Sequence, residues 1–247
     1  DEQKVVYEEI LQTSLKCMED HKKRTVIVKG GPGTGKTVVA INLLSKLTNE
    51  GLFVQYTSKN SAPRNVYAKK LTGHKKSSIN NMFKGAGSYI DVDSNIIDTI
   101  LCDEGHRLTA RTQLGPRVVG ENQIKEIMNA CLCSVFFIDE SQRVTLSDIG
   151  SVAEIRKWAK ELNSEVSELE LLSQFRCNGS NGYLAWLDDV LEIRETANYD
   201  LKDIDYDIRI LDTPNEVRDL IFEKNKIDNR SRMLAGYCWE WIKTGKN

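Results

Sequence analysis

The octapeptide Gly30-Gly31-Pro32-Gly33-Thr34-Gly35-Lys36-Thr37 fits the pattern G-x-x-x-x-G-K-[ST] and constrains the chain more than any other stretch. The β-branched, apolar run Thr25-Val26-Ile27-Val28 precedes it and reads as a buried strand. Behind it Val39, Leu43 and Leu47 recur at helical spacing. A glycine-rich loop between a strand and a helix turns backbone N–H groups toward a phosphate chain. The helix N-terminus adds the positive end of its dipole. The pattern predicts that this loop, built on Gly31, Gly33, Thr34 and Gly35, binds a nucleoside triphosphate. Lys36 is expected to reach the β- and γ-phosphates, and the Thr37 hydroxyl to hold Mg²⁺.

A length of 247 residues allows one large domain or two smaller ones. With 40% hydrophobic and 28% charged residues the composition is that of an ordinary globular chain. No run approaches the roughly 18–20 apolar residues of a membrane span, so no membrane partner is expected. The start, Asp1-Glu2-Gln3-Lys4, has neither a signal-peptide pattern nor an initiator Met, and the chain is expected to be part of something longer. Six cysteines are scattered, and the pair Cys131-Leu132-Cys133 is too tight for a zinc knuckle. Reduced core thiols in a cytoplasmic protein are the expectation.

The net charge of −2 conceals an asymmetry. Residues 51–90 contain no acid but carry Lys59, Arg64, Lys69, Lys70, Lys75, Lys76 and Lys84. In residues 161–205 acids dominate, opposed only by Arg176, Arg194 and Lys202. Such polarity suggests a surface that meets a polyanion, with lysines tracking phosphates.

Residues 4–18 read as a helix with Tyr7, Leu11, Leu15 and Met18 in one apolar stripe. The first strand, the loop and its helix follow, ending near Gly51. Leu52-Phe53-Val54-Gln55-Tyr56-Thr57 predicts a second strand, and Pro63 opens a helix to about Leu71. Residues 72–95 read as an exposed basic excursion with a short helix at 79–83. A third strand at 96–102 runs into Asp103-Glu104, and 105–120 read as loop. A helix at 121–130, a strand at 133–138 and a helix at 151–162 complete the first part. Beyond it, helices are expected near 182–193 and 214–224, and strands at 206–211 and 231–237. Strands separated by helical crossovers predict an α/β fold with a parallel, doubly wound sheet flanked by helices. Ligands of such sheets gather at the carboxyl ends of the strands. The polar clusters 30–37, 103–106 and 139–142 all fall at strand ends and are expected to meet there.

Asp103-Glu104 ends an apolar strand where a phosphate-loop enzyme needs acids. The aspartate can hold the Mg²⁺ shell and the glutamate can polarise the attacking water. His106 completes Asp-Glu-Gly-His and either links the phosphate site to a neighbouring domain or is a polar loop residue. Within Asp139-Glu140-Ser141-Gln142 the Gln142 amide can report on the γ-phosphate or its water, against the alternative of a plain strand-end turn. Arg176 is a candidate cation for transition-state charge, against the alternative of a structural salt bridge.

The order Gln3, GGPGTGKT, Tyr56-Thr57-Ser58-Lys59-Asn60, DEGH, FFIDESQ and QFR resembles superfamily 1 helicases. The phrases DEGHRL, ENQIKEI, SVFFIDESQRV, SQFRCNGSNGYLAWLDDVL and RMLAGYCWEW are similar to one branch, bacterial helicase-like ATPases related to the Schlafen helicase domain. The likeness covers essentially the whole chain. It implies a RecA-like P-loop domain over residues 1–172 and, at 173–247, a linker and the start of a second, truncated RecA-like domain. It further implies that Gln3 reads adenine, that Phe175 stacks on it, and that Thr57, Lys59 and Asn60 touch the nucleic-acid backbone. By the same resemblance Lys36, Glu104, Gln142 and Arg176 are the catalytic set, with Arg64 adding to the nucleic-acid contacts. ATP and Mg²⁺ are the implied cofactors. Single-stranded DNA or RNA is the implied partner, together with the missing part of the second domain and an N-terminal fused domain. A motor ATPase of helicase type is the resulting expectation, and a P-loop switch acting on a protein partner is the alternative. A nucleoside or polynucleotide kinase would need an acceptor-site base and a lid arginine cluster, and neither is identified.

Overall fold

The computed structural model describes residues 2–60, 66, 81–143, 145–173, 181–193, 195–197 and 207–234. The chain divides into two compact units, Asp1–Asn181 and Gly182–Asn247.

Thr25 to Val28 form the middle of strand β1 (Arg24–Gly30), and the apolar run after Ala130 forms β7 (Cys131–Ile138). The two pair in parallel with Ile27 opposite Phe136 and Val28 opposite Phe137. Between them in sequence come β2 (Val54–Ser58), β3 (Phe83–Gly85) and β4 (Ile97–Cys102). Also between them is a small antiparallel hairpin of β5 (Thr112–Leu114) and β6 (Arg117–Val119). With β8 (Glu165–Leu171) the main sheet has six strands in the order β3-β2-β4-β7-β1-β8, every pairing parallel. The expected parallel α/β sheet is therefore present, with β4 and β7 inserted between β1 and β2. That insertion sets the ends of β1, β7 and β4 side by side.

Alternation along each strand divides the core in two. Val26, Val28, Val135 and Phe137 face one side, where helices α1 (Glu2–Asp20) and α2 (Lys36–Asn49) lie on them through Val6, Ile10, Val39, Leu43 and Leu47. Ile27, Ile100, Phe136 and Ile138 face the other side. Helices α3 (Gln123–Ala130) and α4 (Val152–Glu161) cover them with Ile124, Ile127, Met128, Ile155 and Trp158. Asn122 caps α3 by accepting from the Ile124 and Lys125 amides, and Ser151 caps α4. At the other end of α3, the Lys23 ammonium donates to the carbonyls of Met128, Asn129 and Cys131.

Several expectations change. The buried stripe of α1 is Val6, Ile10, Leu11, Ser14 and Cys17; Tyr7, Leu15 and Met18 pack at its margin, so the helix is rotated by about one position. The segment from residue 81 is no plain excursion, because Phe83, Ala86 and Tyr89 enter the core and β3 pairs with β2. Residues 105–120 contain the β5–β6 hairpin. Of the helix expected from Pro63 only residue 66 is described, and it is helical; residues 79–80 of the next one lie outside the described residues.

The second unit has helices α5 (Asn181–Val190) and α6 (Pro214–Ile227), both close to expectation. Thr213 caps α6, and Pro214 occupies its first turn. The strands expected at 206–211 and 231–237 are absent among the described residues 207–211 and 231–234. Ile210 and Leu234 are 97% and 95% exposed, and a strand without a hydrogen-bonded neighbour has nothing to hold it extended.

Two outcomes test this account. Phe136→Ala, on a central strand, should cost about 3–5 kcal/mol by urea denaturation. The second concerns Arg24, whose buried guanidinium grips Asp20 with two hydrogen bonds of 2.8 and 2.6 Å and holds that carboxyl well below its usual range. A depressed carboxylate stabilises the fold above its unfolded value of about 3.9 and loses that contribution as pH falls toward its folded value. The melting-temperature gap between wild type and Asp20→Asn should thus hold steady from about pH 8 to 5 and shrink below about pH 4.

Candidate active site

The ends of β1, β4 and β7 form one rim. The loop from β1 turns into α2 at Gly35, whose φ of +92° lies in the left-handed region and which caps the helix. A Cβ there would strain this backbone and also meet the Gln3 amide, so glycine suits the turn. Gln3, in the first turn of α1, donates to the Thr34 carbonyl at 2.9 Å and so lies against the loop. The Lys36 ammonium folds over the loop and donates to the carbonyls of Gly30 and Gly31. Both Lys36 and Thr34 are buried, while Gly31, Gly33 and Thr37 are half-buried.

Asp103 follows β4 and is 2% exposed. Its Oδ2 accepts from the Thr37 hydroxyl and from the Tyr56 hydroxyl, each at 2.7 Å, and its Oδ1 accepts from the Glu104 amide at 3.0 Å. Burial pushes this carboxyl above its usual value, the hydroxyls of Tyr56 and Thr37 pull it back, and the neighbouring Glu104 charge adds to the rise.

Glu104 has a left-handed backbone with φ of +55°. Its carboxylate lies 3.0 Å from His106 Nε2. The other nitrogen of that ring, Nδ1, accepts from the Asp139 amide at 3.1 Å, so the ring proton sits on Nε2 and faces Glu104. His106 is buried and ties the end of β4 to the end of β7. Asp139 Oδ2 accepts from the Gln142 amide at 2.8 Å, and Oδ1 accepts from Ser141.

A cleft of about 420 Å³ opens on this rim, within the usual range for small-molecule sites. Gln3 lines it from α1, Gly33, Gly35, Lys36 and Thr37 from the loop, and Glu104 and Gln142 from the ends of β4 and β7. Lys36, Glu104 and Gln142, far apart in sequence, thus share one pocket.

A family model described as Schlafen group 3, DNA/RNA helicase domain, matches residues 23–247. The chain belongs to that family. It is also 25% identical over 168 residues to an uncharacterised protein of Saccharomyces cerevisiae (strain ATCC 204508 / S288c), covering 61% of this chain and 37% of the yeast protein. This Schlafen group 3 chain therefore spans little more than a third of that curated relative. Among solved structures it is similar to the helicase domain of Hef from Pyrococcus furiosus (TM-score 0.40, 13% identity, 68% of this chain and 37% of that one). It is also similar to AMPPCP-bound DnaA from Aquifex aeolicus (TM-score 0.36, 17% identity, 93% and 60%). At these scores the structural likenesses carry no argument beyond the topology described above.

Other expected site residues of the Schlafen group 3 chain lie elsewhere. Thr57 is fully buried and donates to the Lys84 carbonyl at 3.2 Å, so its side chain does not reach the surface. Lys59 lies 3.2 Å from the buried carboxylate of Asp148, and Asn60 is exposed. Arg64, Phe175 and Arg176 lie outside the described residues. Tyr56 and Asp148 were missed by sequence reasoning. Tyr56 stood within the quoted run before Lys59, but an apolar strand gives no sign of where a phenol points. A GTPase is disfavoured if the sequence has no Asn-Lys-x-Asp guanine reader, yet the tetrapeptide Asn225-Lys226-Ile227-Asp228 does have that spacing. It closes α6, and the Asn225 side chain is spent on the backbone of Ser231, so it serves as a local cap. No described helix is long and apolar enough to cross a membrane.

His106→Ala removes the acceptor of a buried amide and should lower stability by about 1–3 kcal/mol, measured by urea denaturation.

Proposed function

We propose that this chain carries the ATP-hydrolysing site of a nucleic-acid-dependent motor ATPase of the superfamily 1 helicase type, in the cytoplasmic, bacterial branch that its motifs resemble. The observation that supports this most is the shared cleft, in which the loop lysine, the strand-end glutamate and the strand-end glutamine line one pocket.

In this reading the loop backbone and Lys36 bind the phosphates of ATP, and Gln3 contacts the adenine. Thr37 and Asp103 fit Mg²⁺, because their oxygens already converge at 2.7 Å. Mg²⁺ favours one or two protein oxygens supplemented by phosphates and water, over a cage of several acids. When bound, the ion would neutralise charge on the phosphates. Glu104, oriented by the His106 proton, accepts the proton of the attacking water. Gln142, steered by Asp139, holds that water or the γ-phosphate in line. Arg176 supplies the transition-state cation and Phe175 an adenine contact, on sequence grounds alone.

Residues 1–172 form the ATP-binding RecA-like domain in this reading, and 173–247 the linker and opening of a second one. Lys59, Asn60 and Arg64 contribute to the path of a single strand of DNA or RNA, whereas buried Thr57 contributes only its place in β2.

Lys36→Ala should abolish ATP binding. Glu104→Gln should preserve binding and lower turnover by about 10²–10⁴-fold, the usual contribution of a general base. Both are read by nucleotide-binding fluorescence and phosphate release. Single strands should stimulate turnover, with stimulation falling as salt rises. Activity that ignores both DNA and RNA at every salt concentration would favour the protein-directed switch instead.

A further inference from the structure

The β5–β6 hairpin is not used by the proposed ATPase chemistry, yet it follows directly from it. Eight positions separate Glu104 from Thr112, and buried His106 and Leu108 anchor the connection. The hairpin foot is fastened on several sides. The Thr109 amide donates to Gln123 Oε1, and Gln123 Nε2 donates to the Thr112 hydroxyl, each at 2.9 Å. Thr109 also forms an antiparallel bridge with Asp148. Gly87 packs so closely that a Cβ there would lie 2.4 Å from Thr112 Cγ2, so the foot sits on bare backbone.

The tip differs in character. Leu114 and Arg117 are directly paired across the two strands, which puts them on the same face as Thr112. Both are exposed, Leu114 by 58%. Between the hairpin foot and the end of β2 runs an open cleft of about 810 Å³. Among the described residues that line it, Lys59 and Arg111 are charged and there is no carboxylate. The nearby Asp148 carboxylate is fully buried and already paired with Lys59 and Arg107, both at 3.2 Å.

A rigid foot, a positively charged cleft and a tip that sets an apolar side chain beside a guanidinium suit a chain of alternating phosphates and flat apolar bases. We propose that the β5–β6 hairpin is a nucleic-acid finger. Arg111 and Lys59 hold phosphates of a single strand in the cleft, Arg117 holds one at the tip, and Leu114 rests against its bases. This rests on the motor reading above, which already puts Lys59 on the strand path, and adds to it Arg111, Leu114 and Arg117 of the hairpin.

The test uses the 247-residue chain and fluorescein-labelled oligo(dT) and oligo(U), titrated by anisotropy over a range of salt. The double variant Arg111→Gln, Arg117→Gln should bind about tenfold more weakly, with a salt slope smaller by about two, one for each arginine replaced. As an independent readout, a photoreactive benzoylphenylalanine in place of Leu114 should crosslink to the labelled strand. Wild-type binding with an unchanged double variant and no crosslink would overturn the finger and leave the motor reading standing. Failure of the wild-type chain to bind either strand at low salt would overturn both.

Discussion

A single carboxylate, that of Asp103, fixes the geometry on which the rest depends. It is buried at the end of β4 and joins three parts of the chain that sequence keeps apart: Thr37 from the start of α2, Tyr56 from β2 and its own strand. A buried carboxylate with no partner would carry a penalty of several kcal/mol. Here both oxygens accept hydrogen bonds, and burial still raises the proton affinity of the group. The arrangement is therefore strongly directional. The loop cannot shift relative to β4 without stripping a buried acid of a donor. In the function proposed, the same acid would gain a divalent cation as its counter-charge, which favours the ionised form that the dry interior opposes.

Next to it stands a backbone that an ordinary residue avoids. Glu104 takes a left-handed conformation, a departure that usually costs on the order of 1 kcal/mol or more. Its surroundings over-determine it. The Glu104 amide is bonded to Asp103, its carboxylate to His106, and His106 in turn accepts from the Asp139 amide. Strain at this point aims the carboxylate into the cleft instead of along the strand. The imidazole acts here as a rigid strut: one ring nitrogen is an acceptor and the other a donor, and swapping them would break both contacts at once.

Much of the first unit could be read from residues alone, because its signals are local and repeated. The run Thr25-Val26-Ile27-Val28 is both β-branched and apolar, and Val39, Leu43 and Leu47 recur at the helical period. Strand β8 was harder. Glu165, Glu168 and Glu170 mask the alternation of Leu169 and Leu171, as expected for an edge strand that carries charge against unwanted pairing. The hairpin was hidden by Gly115-Pro116, which reads simply as loop. The shared cleft was legible because parallel strands put their carboxyl ends on one rim, so three polar clusters at strand ends had to meet. What could not be read was the tertiary partner of each group. Nothing local distinguishes the buried, doubly paired Asp148 from a solvated loop acid, or reveals that Thr57 faces Lys84. In the second unit, the apolar patterns at 206–211 and 231–237 suggested strands, but a strand is a property of pairs.

Asp148 stands between the cleft of Glu104 and the hairpin. It holds Lys59, which lies in the proposed strand path, and Arg107, which adjoins the His106 strut. It also receives the Thr145 amide at 3.0 Å and pairs with Thr109 at the hairpin foot. A phosphate that draws Lys59 away weakens the compensation of this fully buried carboxylate and throws more of it onto Arg107. An undercompensated buried charge is costly, so the Arg107 pair and the Thr145 amide matter more once Lys59 is drawn off. Energetic coupling between two sites is reciprocal by thermodynamic necessity. In the motor proposed, whatever factor a bound single strand applies to nucleotide affinity, the nucleotide must apply to strand affinity.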